Sequence, residues 1–236
     1  MKESDPLRHT LKDYYMTDVN PKTTDLKVRK LINQDKKESF ILSQLNNNNF
    51  FIKSGVVRAP FQPRQTDHSA YLTLAHGPAD DNEFVNYLGE LDQFMETWTD
   101  KYNTKFGTQM TYTPLLKTPL KRDESGTLVA NHEALEKYGY TTDVWIHKLN
   151  GRFQVSIDNT KQKSVSELDF EGLVNPSSRF VCVCHAGISR YDNKGVDEIK
   201  ISLMLRRIKV LESAYELVDL EEPLNRSKPE IVDIDL

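Results

Sequence analysis

The sequence predicts an α+β chain in which a small β-barrel is elaborated by extra N-terminal strands and one long amphipathic helix. Three observations point there. Apolar residues alternate with polar ones at period two through the second half of the chain. A single stretch from Phe84 to Tyr102 keeps the 3.6-residue period of a helix. The last strand changes its apolar phase midway, the mark of a bulge, and bulged strands bend into small barrels.

In chain order, residues 1–37 scatter Leu and Val among Lys, Asp, Thr and Pro without a sustained period, which predicts a loosely ordered arm with at most a short helix. Ser39-Phe40-Ile41-Leu42 and Phe50 to Val57 read as two strands around the asparagine run Asn46 to Asn49. Pro60 to Pro63 ends that pair, and Tyr71 to Ala75 is a third strand. The helix follows, with Asp80 and Asp81 as candidate caps and Phe84, Leu88, Leu91, Met95, Trp98 and Tyr102 forming a stripe that needs a sheet to lie on. Residues 113–130, with two prolines and the cationic cluster Lys117, Lys121 and Arg122, read as a long connecting loop. Asn131 to Tyr138, stopped by Gly139, is a short helix.

The hairpin from Val144 to Ile157 turns at Asn150-Gly151, residues that accept the two positive φ angles of a type I′ turn. A two-residue turn sets Leu149 opposite Arg152, Lys148 opposite Phe153, Ile146 opposite Val155 and Val144 opposite Ile157. Ser164 to Leu173 opens with capping-box spacing in Ser164-Val165-Ser166-Glu167. Arg179 to Cys184 is a buried strand, Tyr191 to Gly195 a turn, and Ile199 to Leu211 the last long strand. In it Ile199, Ile201, Leu203 and Leu205 share a face before Ile208 and Val210 take over, placing the bulge at Arg206-Arg207.

Composition narrows the function classes. The chain has 236 residues, 38% hydrophobic and 28% charged, enough for a real core in one large or two small domains. The longest apolar run, Phe180 to Cys184, is far too short to span a bilayer, and Met1-Lys2-Glu3-Ser4-Asp5 has no apolar region behind it, so no membrane association, no secretion signal and an intracellular location are expected. Cys182 and Cys184 share one strand face, which supports neither a disulfide nor a zinc site.

The formal charge of −4 conceals a segregation. Trp145 to Leu211 holds eleven Lys or Arg against seven Asp or Glu, a balance of +4, while Glu212 to Leu236 holds two against eight, a balance of −6. Three parts follow: an arm over 1–37, a nucleic-acid-binding domain over 38–211 and an acidic tail over 212–236.

One face of the hairpin presents Trp145, His147, Leu149, Arg152, Gln154 and Ser156. An aromatic ring among cations is how single-stranded nucleic acid is held without readout of its sequence, by stacking of bases and pairing of phosphates. The alternative is that Trp145 packs beneath the long helix and Arg152 is a solvated tip. Arg206, Arg207 and Lys209 around the bulge, with Arg179, Arg190, Lys194 and Lys200 on neighbouring strands and turns and Lys117, Lys121 and Arg122 in the connecting loop, extend the candidate interface. A solvated charged face is the plain explanation of each taken alone.

Catalytic signatures are lacking. Cys184 and His185 are adjacent and point to opposite faces of a strand, no phosphate-cradling glycine loop occurs, and the paired carboxylates lack metal-ligand spacing. No enzyme activity, cofactor or metal is expected. The tail ends Ile231-Val232-Asp233-Ile234-Asp235-Leu236, either a solvated terminus or a competitor for the basic region and a hook for partner proteins.

The order of elements, with Ser178-Arg179-Phe180-Val181-Cys182-Val183-Cys184-His185-Ala186-Gly187-Ile188-Ser189 before a closing strand Leu205-Arg206-Arg207-Ile208-Lys209-Val210, resembles the OB-fold single-stranded DNA-binding proteins of large double-stranded DNA viruses. The likeness is best over residues 140–211. It implies an OB-like barrel, coating of exposed strands in viral DNA replication, recombination or repair, action at the site of replication (host nucleus or cytoplasmic virus factory), RNA as an alternative ligand, replication proteins contacted through the tail, and room for an oligomer. A viral structural or scaffold protein using the same surfaces for protein contacts is the competing expectation.

Overall fold

The computed structural model describes residues 20–32, 38–46, 48–66, 68–77, 82–157, 164–175 and 178–212. Strand β1 (Leu26–Ile32) pairs antiparallel with β2 (Glu38–Gln44), from Leu26 opposite Gln44 to Ile32 opposite Glu38. The expected arm is therefore a strand over part of its length, because Leu26 and Val28 pack on the core while β2 satisfies the backbone. Residues 1–19 and 33–37 of that arm lie outside the described residues.

Strands β3 (Phe51–Lys53), β4 (Val57–Arg58), β5 (Arg64–Gln65), β6 (Ser69–Ala75), β7 (Thr111–Tyr112), β8 (Leu120–Arg122), β9 (Leu128–Ala130), β10 (Thr141–Leu149), β11 (Arg152–Phe153), β12 (Ser156–Ile157), β13 (Val165–Ser166), β14 (Arg179–Asn193) and β15 (Val196–Glu212) follow along the chain. The predicted pairing of the 39–42 strand with residues 50–57 does not form. β2 takes β1 as its neighbour, and β3 instead pairs antiparallel with β14, Cys184 opposite Ile52.

Among the described residues five strand segments close a circuit. β4 pairs with β6, β6 with β10, β14 with β15, and β14 with β3 and β4, all antiparallel; β10 and β15 pair parallel at Val144–Leu203 and Trp145–Met204. Counting β3–β4 as the first strand, the cyclic order is first, second, third, fifth, fourth, the order of an OB-type Greek-key barrel. Its inner face is apolar by alternation: Leu72 and Leu74, Val144 and Ile146, and Ile199, Ile201, Leu203 and Leu205 are all buried. Cys184 faces Leu205 but Val183 faces Arg207, so Arg206 is the extra residue of a bulge, and Ile208 and Val210 return to the core beyond it.

The long helix (Glu83–Phe106) sits between the second and third barrel strands. Its cap is Asn82, whose side chain accepts from the amides of Phe84 and Val85 and donates to the His76 carbonyl, tying the helix start to the end of β6. Asp80 and Asp81 lie outside the described residues. Phe84, Leu88, Leu91, Met95 and Tyr102 are buried as the periodicity requires. Trp98 packs against Phe40 of β2 at 5.2 Å and Tyr102 at 5.1 Å.

Three expectations need correction. The 144–157 hairpin turns at Asn150 (φ 50°) and Gly151 (φ 71°), but only Leu149–Arg152 and Lys148–Phe153 pair. Both edges of β10 are already taken, by β6 and β15, so the chain departs and β12 lies parallel on β15. The supposed loop 113–130 contains the β8–β9 hairpin, closed by Asp123, whose carboxylate accepts from the amides of Ser125 and Thr127. The helix Glu167–Leu173 is capped by Ser166, which accepts from the Asp169 amide, rather than by Ser164. The short helix His132–Tyr138 forms as expected under its Asn131 cap. β14 runs past Ser189 to Asn193, leaving Lys194-Gly195 as the turn.

Candidate nucleic-acid interface

The outer face of the second and third barrel strands carries a row of residues set by pairing register: Arg64 opposite Tyr71, Tyr71 opposite Trp145, Trp145 opposite Met204 and Met204 opposite His185. Inward neighbours Ala70, Leu72, Val144 and Ile146 are buried, so alternation turns Tyr71 and Trp145 outward. Tyr71 is 45% exposed. Trp145 is half-buried and does not pack on the long helix, whose stripe is covered by other residues.

Tyr71 and Trp145 line a groove of about 160 Å³ together with Lys117, Asp143, Tyr191 and Lys200. Each wall has a local cause. Asp92 of the long helix accepts from the Tyr112 hydroxyl at 2.6 Å and from the amides of Leu115 and Leu116, pinning the 112–116 segment against β15. Lys117 exchanges backbone hydrogen bonds with Thr141, which brings its ammonium within 2.7 Å of the Asp143 carboxylate. Asp143 also accepts from the Thr73 hydroxyl at 2.7 Å. Burial raises the Asp143 pKa, but the Lys117 and Thr73 hydrogen bonds outweigh it and hold the carboxyl below its ordinary range. Tyr191 donates to Glu198 at 2.6 Å, and Lys200 places its ammonium 5.1 Å from the Tyr191 ring centre. Burial first and the Glu198 bond second raise the Tyr191 pKa, so the phenol stays neutral and keeps its proton as a donor.

The structure thus brings together Trp145, Lys117 and Lys200 of the sequence-predicted residues, with His147 on the same outer face opposite Ser69. The others lie elsewhere. Arg152 at the hairpin tip donates to Ser164, and Arg190 makes a two-pronged pair with Asp197 at 2.6 Å and a second with Glu38 at 3.6 Å, so its charge is met within the fold. Lys194 is in the exposed β14–β15 turn, and Lys121 and Arg122 are on the separate β8–β9 sheet, where Arg122 donates to the Gly126 carbonyl. Arg206 is the bulge residue and Arg207 and Lys209 follow it, six to nine residues beyond Lys200 and so about 20–30 Å further along β15. Arg206 acts on His185: burial, and then the Arg206 charge, lower that imidazole to about 4. Arg179 starts β14 and lines a different cavity.

Sequence reasoning missed Tyr71, Tyr191, Arg64 and Asp143. The alternation of Tyr71 against Ala70, Leu72 and Leu74 was a legible signal that it faces outward; nothing local in the sequence places Arg64 beside Tyr71 or Tyr191 in one groove with Trp145. Among the described residues no cluster of three or more His, Cys, Asp or Glu could hold a metal ion, and no helix is long and apolar enough to cross a membrane.

No protein-family profile matches the chain, and no curated protein matches it. Solved structures do. The chain is similar to the single-stranded DNA-binding protein from bacteriophage Enc34, at 13% identity and a TM-score of 0.42 over 86% of this chain and 96% of that one. It is also similar to gp2.5, a single-stranded DNA-binding protein encoded by bacteriophage T7, at 13% identity and a TM-score of 0.41 over 74% and 98% of the two chains. The Enc34 protein in complex with single-stranded DNA gives 13% identity and 0.40 over 72% and 88%.

Proposed function

We propose that the protein binds single-stranded DNA without chemistry on it, with bases stacked on Tyr71 and Trp145 and phosphates met by Lys200 and Arg64, while the charge of Lys117 is met by Asp143. The observation that carries this reading is the placement of two outward aromatic rings as cross-strand neighbours on the second and third strands, between the segment joining strands one and two (Arg64) and the flanks of the turn joining strands four and five (Tyr191, Lys200). That face and those two loops are where OB barrels hold oligonucleotides. The bacteriophage proteins named above bind single-stranded DNA; this groove would give the present chain a physical means of the same. A role in coating strands exposed during replication, recombination or repair, inside the cell at the replication site, follows from such a ligand.

The test uses the small number of tryptophans. The chain has two, so Trp98→Phe leaves Trp145 as the sole indole reporter. Oligothymidine is expected to quench its fluorescence, with duplex DNA a poor competitor and RNA the informative one. Two phosphate contacts predict a log-affinity against log-salt slope of about −1.4. A flat salt plot, or no quenching at low salt, would sink the reading and return the surface to the scaffold alternative.

A further inference from the structure

One acidic side chain, Asp143, stands among the described residues that line the groove. A carboxylate there repels phosphates, so contact with the strand backbone gives no reason for it. We propose that Asp143 makes the groove select bases that carry an exocyclic amine, cytosine over thymine or uracil. The inference rests on the stacking reading given above and names the bases which that surface takes.

Pairing register places the carboxylate. Trp145 lies opposite Tyr71 and Asp143 opposite Thr73, so the two rings form one row on the outer face and Asp143 with Thr73 forms the next. Rows two residues apart on a strand are separated by about 6.8 Å. The polar rim of a base seated on either ring lies roughly 3 Å from the base centre, and a hydrogen bond of about 2.9 Å from that rim spans the rest of the interval. The Asp143 side chain is 27% exposed, open enough to be met from the groove. It is oriented from the protein side: Oδ1 accepts from the Thr73 hydroxyl at 2.7 Å and Oδ2 from the Lys117 ammonium at 2.7 Å. Burial opposes ionisation, but those two bonds outweigh it, and the group is a carboxylate at neutral pH. An ionised carboxylate has about four acceptor sites and no donor, so about two remain for a ligand.

That acceptor discriminates where the rings do not, since every base has a face to stack. Cytosine offers the N–H bonds of its N4 amine, whereas thymine and uracil carry a carbonyl oxygen at that position, which a carboxylate repels. Their one ring donor, N3–H, lies between two carbonyl oxygens, and a carboxylate that approaches it meets both. Unstacked bases of a single strand expose these edges to a protein. Lys117, tied to the same carboxylate, offsets its charge towards the backbone, so the acid can sit in the groove without excluding the strand.

The experiment measures the affinity of the full chain for oligodeoxycytidine and oligodeoxyuridine of equal length at neutral pH. The two share ring size and backbone, so stacking and phosphate contributions nearly cancel in the ratio. The cytidine strand is expected to bind about tenfold more tightly. Asp143→Asn, close in shape, replaces one acceptor oxygen by an amide donor and should bring the ratio near one. Thr73→Val keeps the ion pair but frees one carboxylate oxygen to turn, and should narrow the ratio less. Equal affinities for the two strands would overturn this proposal and leave the stacking reading standing, whereas failure to bind either strand would remove both. A cytidine preference that persists undiminished in both variants would also overturn it, since Asp143 would then serve only to anchor Lys117.

Discussion

The two tryptophans occupy contrasting surroundings although both are half-buried. Trp98 stands in an aromatic cluster, with Phe40 edge-on at 5.2 Å, Tyr102 stacked at 5.1 Å and Phe106 beyond it at 4.6 Å from Tyr102. Trp145 has Tyr71 and Met204 beside it in register and makes no ring contact among the described residues. Rings that satisfy one another across a helix and a hairpin are structural; rings set side by side on an outer sheet face, with open faces and lysines at the rim, are available to a ligand. Aromatic content alone does not separate these roles. The element beneath each ring does, since a helical stripe must be covered whereas the outer face of a barrel strand need not be.

Trp98→Ala should break the first region hardest. Loss of a large ring from a four-ring cluster is expected to lower unfolding stability by about 3–4 kcal/mol, while oligonucleotide affinity of the folded protein stays unchanged. Urea unfolding with a parallel titration checks both halves. A variant that keeps its stability but loses DNA would invert the comparison.

His76 sharpens it by pH, because its ring packs on Phe84, the first residue of the same helical stripe, at 5.5 Å. Its pKa is lowered from 6.5 to about 4 by burial. As pH falls the unfolded chain takes up this proton first, so stability is whole above about 6.5, falls between 6.5 and about 4, and levels off below that. The loss from His76 amounts to at most about 3 kcal/mol; His185, also lowered to about 4, titrates over the same window, so His76→Asn should remove about half of the combined fall between pH 7 and pH 4.5. An unchanged slope in the variant would mean that His76 is not one of the groups that titrate.

For the open region the expected outcome is the reverse. Trp145→Ala should cost about 1–3 kcal/mol of oligonucleotide affinity, and less than about 1 kcal/mol of stability. Tyr71→Ala should do the same, and the double variant should fall short of the sum if one base spans both rings. Unfolding of Trp145→Ala at much lower denaturant would place the indole with Trp98, among the structural rings.

Much of this was legible locally. The helical stripe, the Asn150-Gly151 turn, the Asn131-capped helix and the bulge at Arg206 all follow from short-range periodicity and turn chemistry, and the structure has each of them. What escaped depends on partners far apart in sequence. β3 pairs with β14 rather than with its chain neighbour, and the groove joins residue 71 to residues 145 and 191, which no local pattern encodes. Charge counting erred for a related reason: Arg190 is as basic as Lys200 in the sequence, but Asp197 and Glu38 meet its charge while Lys200 stands at the groove.

The smallest expected effect concerns the acidic tail, which bears on whether the open region is always open. Deleting Pro223 to Leu236 removes Glu230, Asp233 and Asp235 along with Arg226 and Lys228, a net change of one negative charge. Electrostatics alone then predicts a gain in DNA affinity well below tenfold. Occupancy adds to it, because a tethered segment reaches effective concentrations near the millimolar range and competes even when its own affinity is weak. Reach is sufficient. The last described residue, Glu212, is twelve residues along β15 from Lys200, at most about 40 Å, and the 24 residues beyond it can extend about 80 Å. A deletion extended to include Asp219, Glu221 and Glu222 removes four net negative charges and should strengthen the gain. Equal affinities for the full chain and both truncations at low salt, where competition is largest, would show that the tail does not visit the groove; loss of a replication partner on truncation would then mark it as a hook for proteins alone.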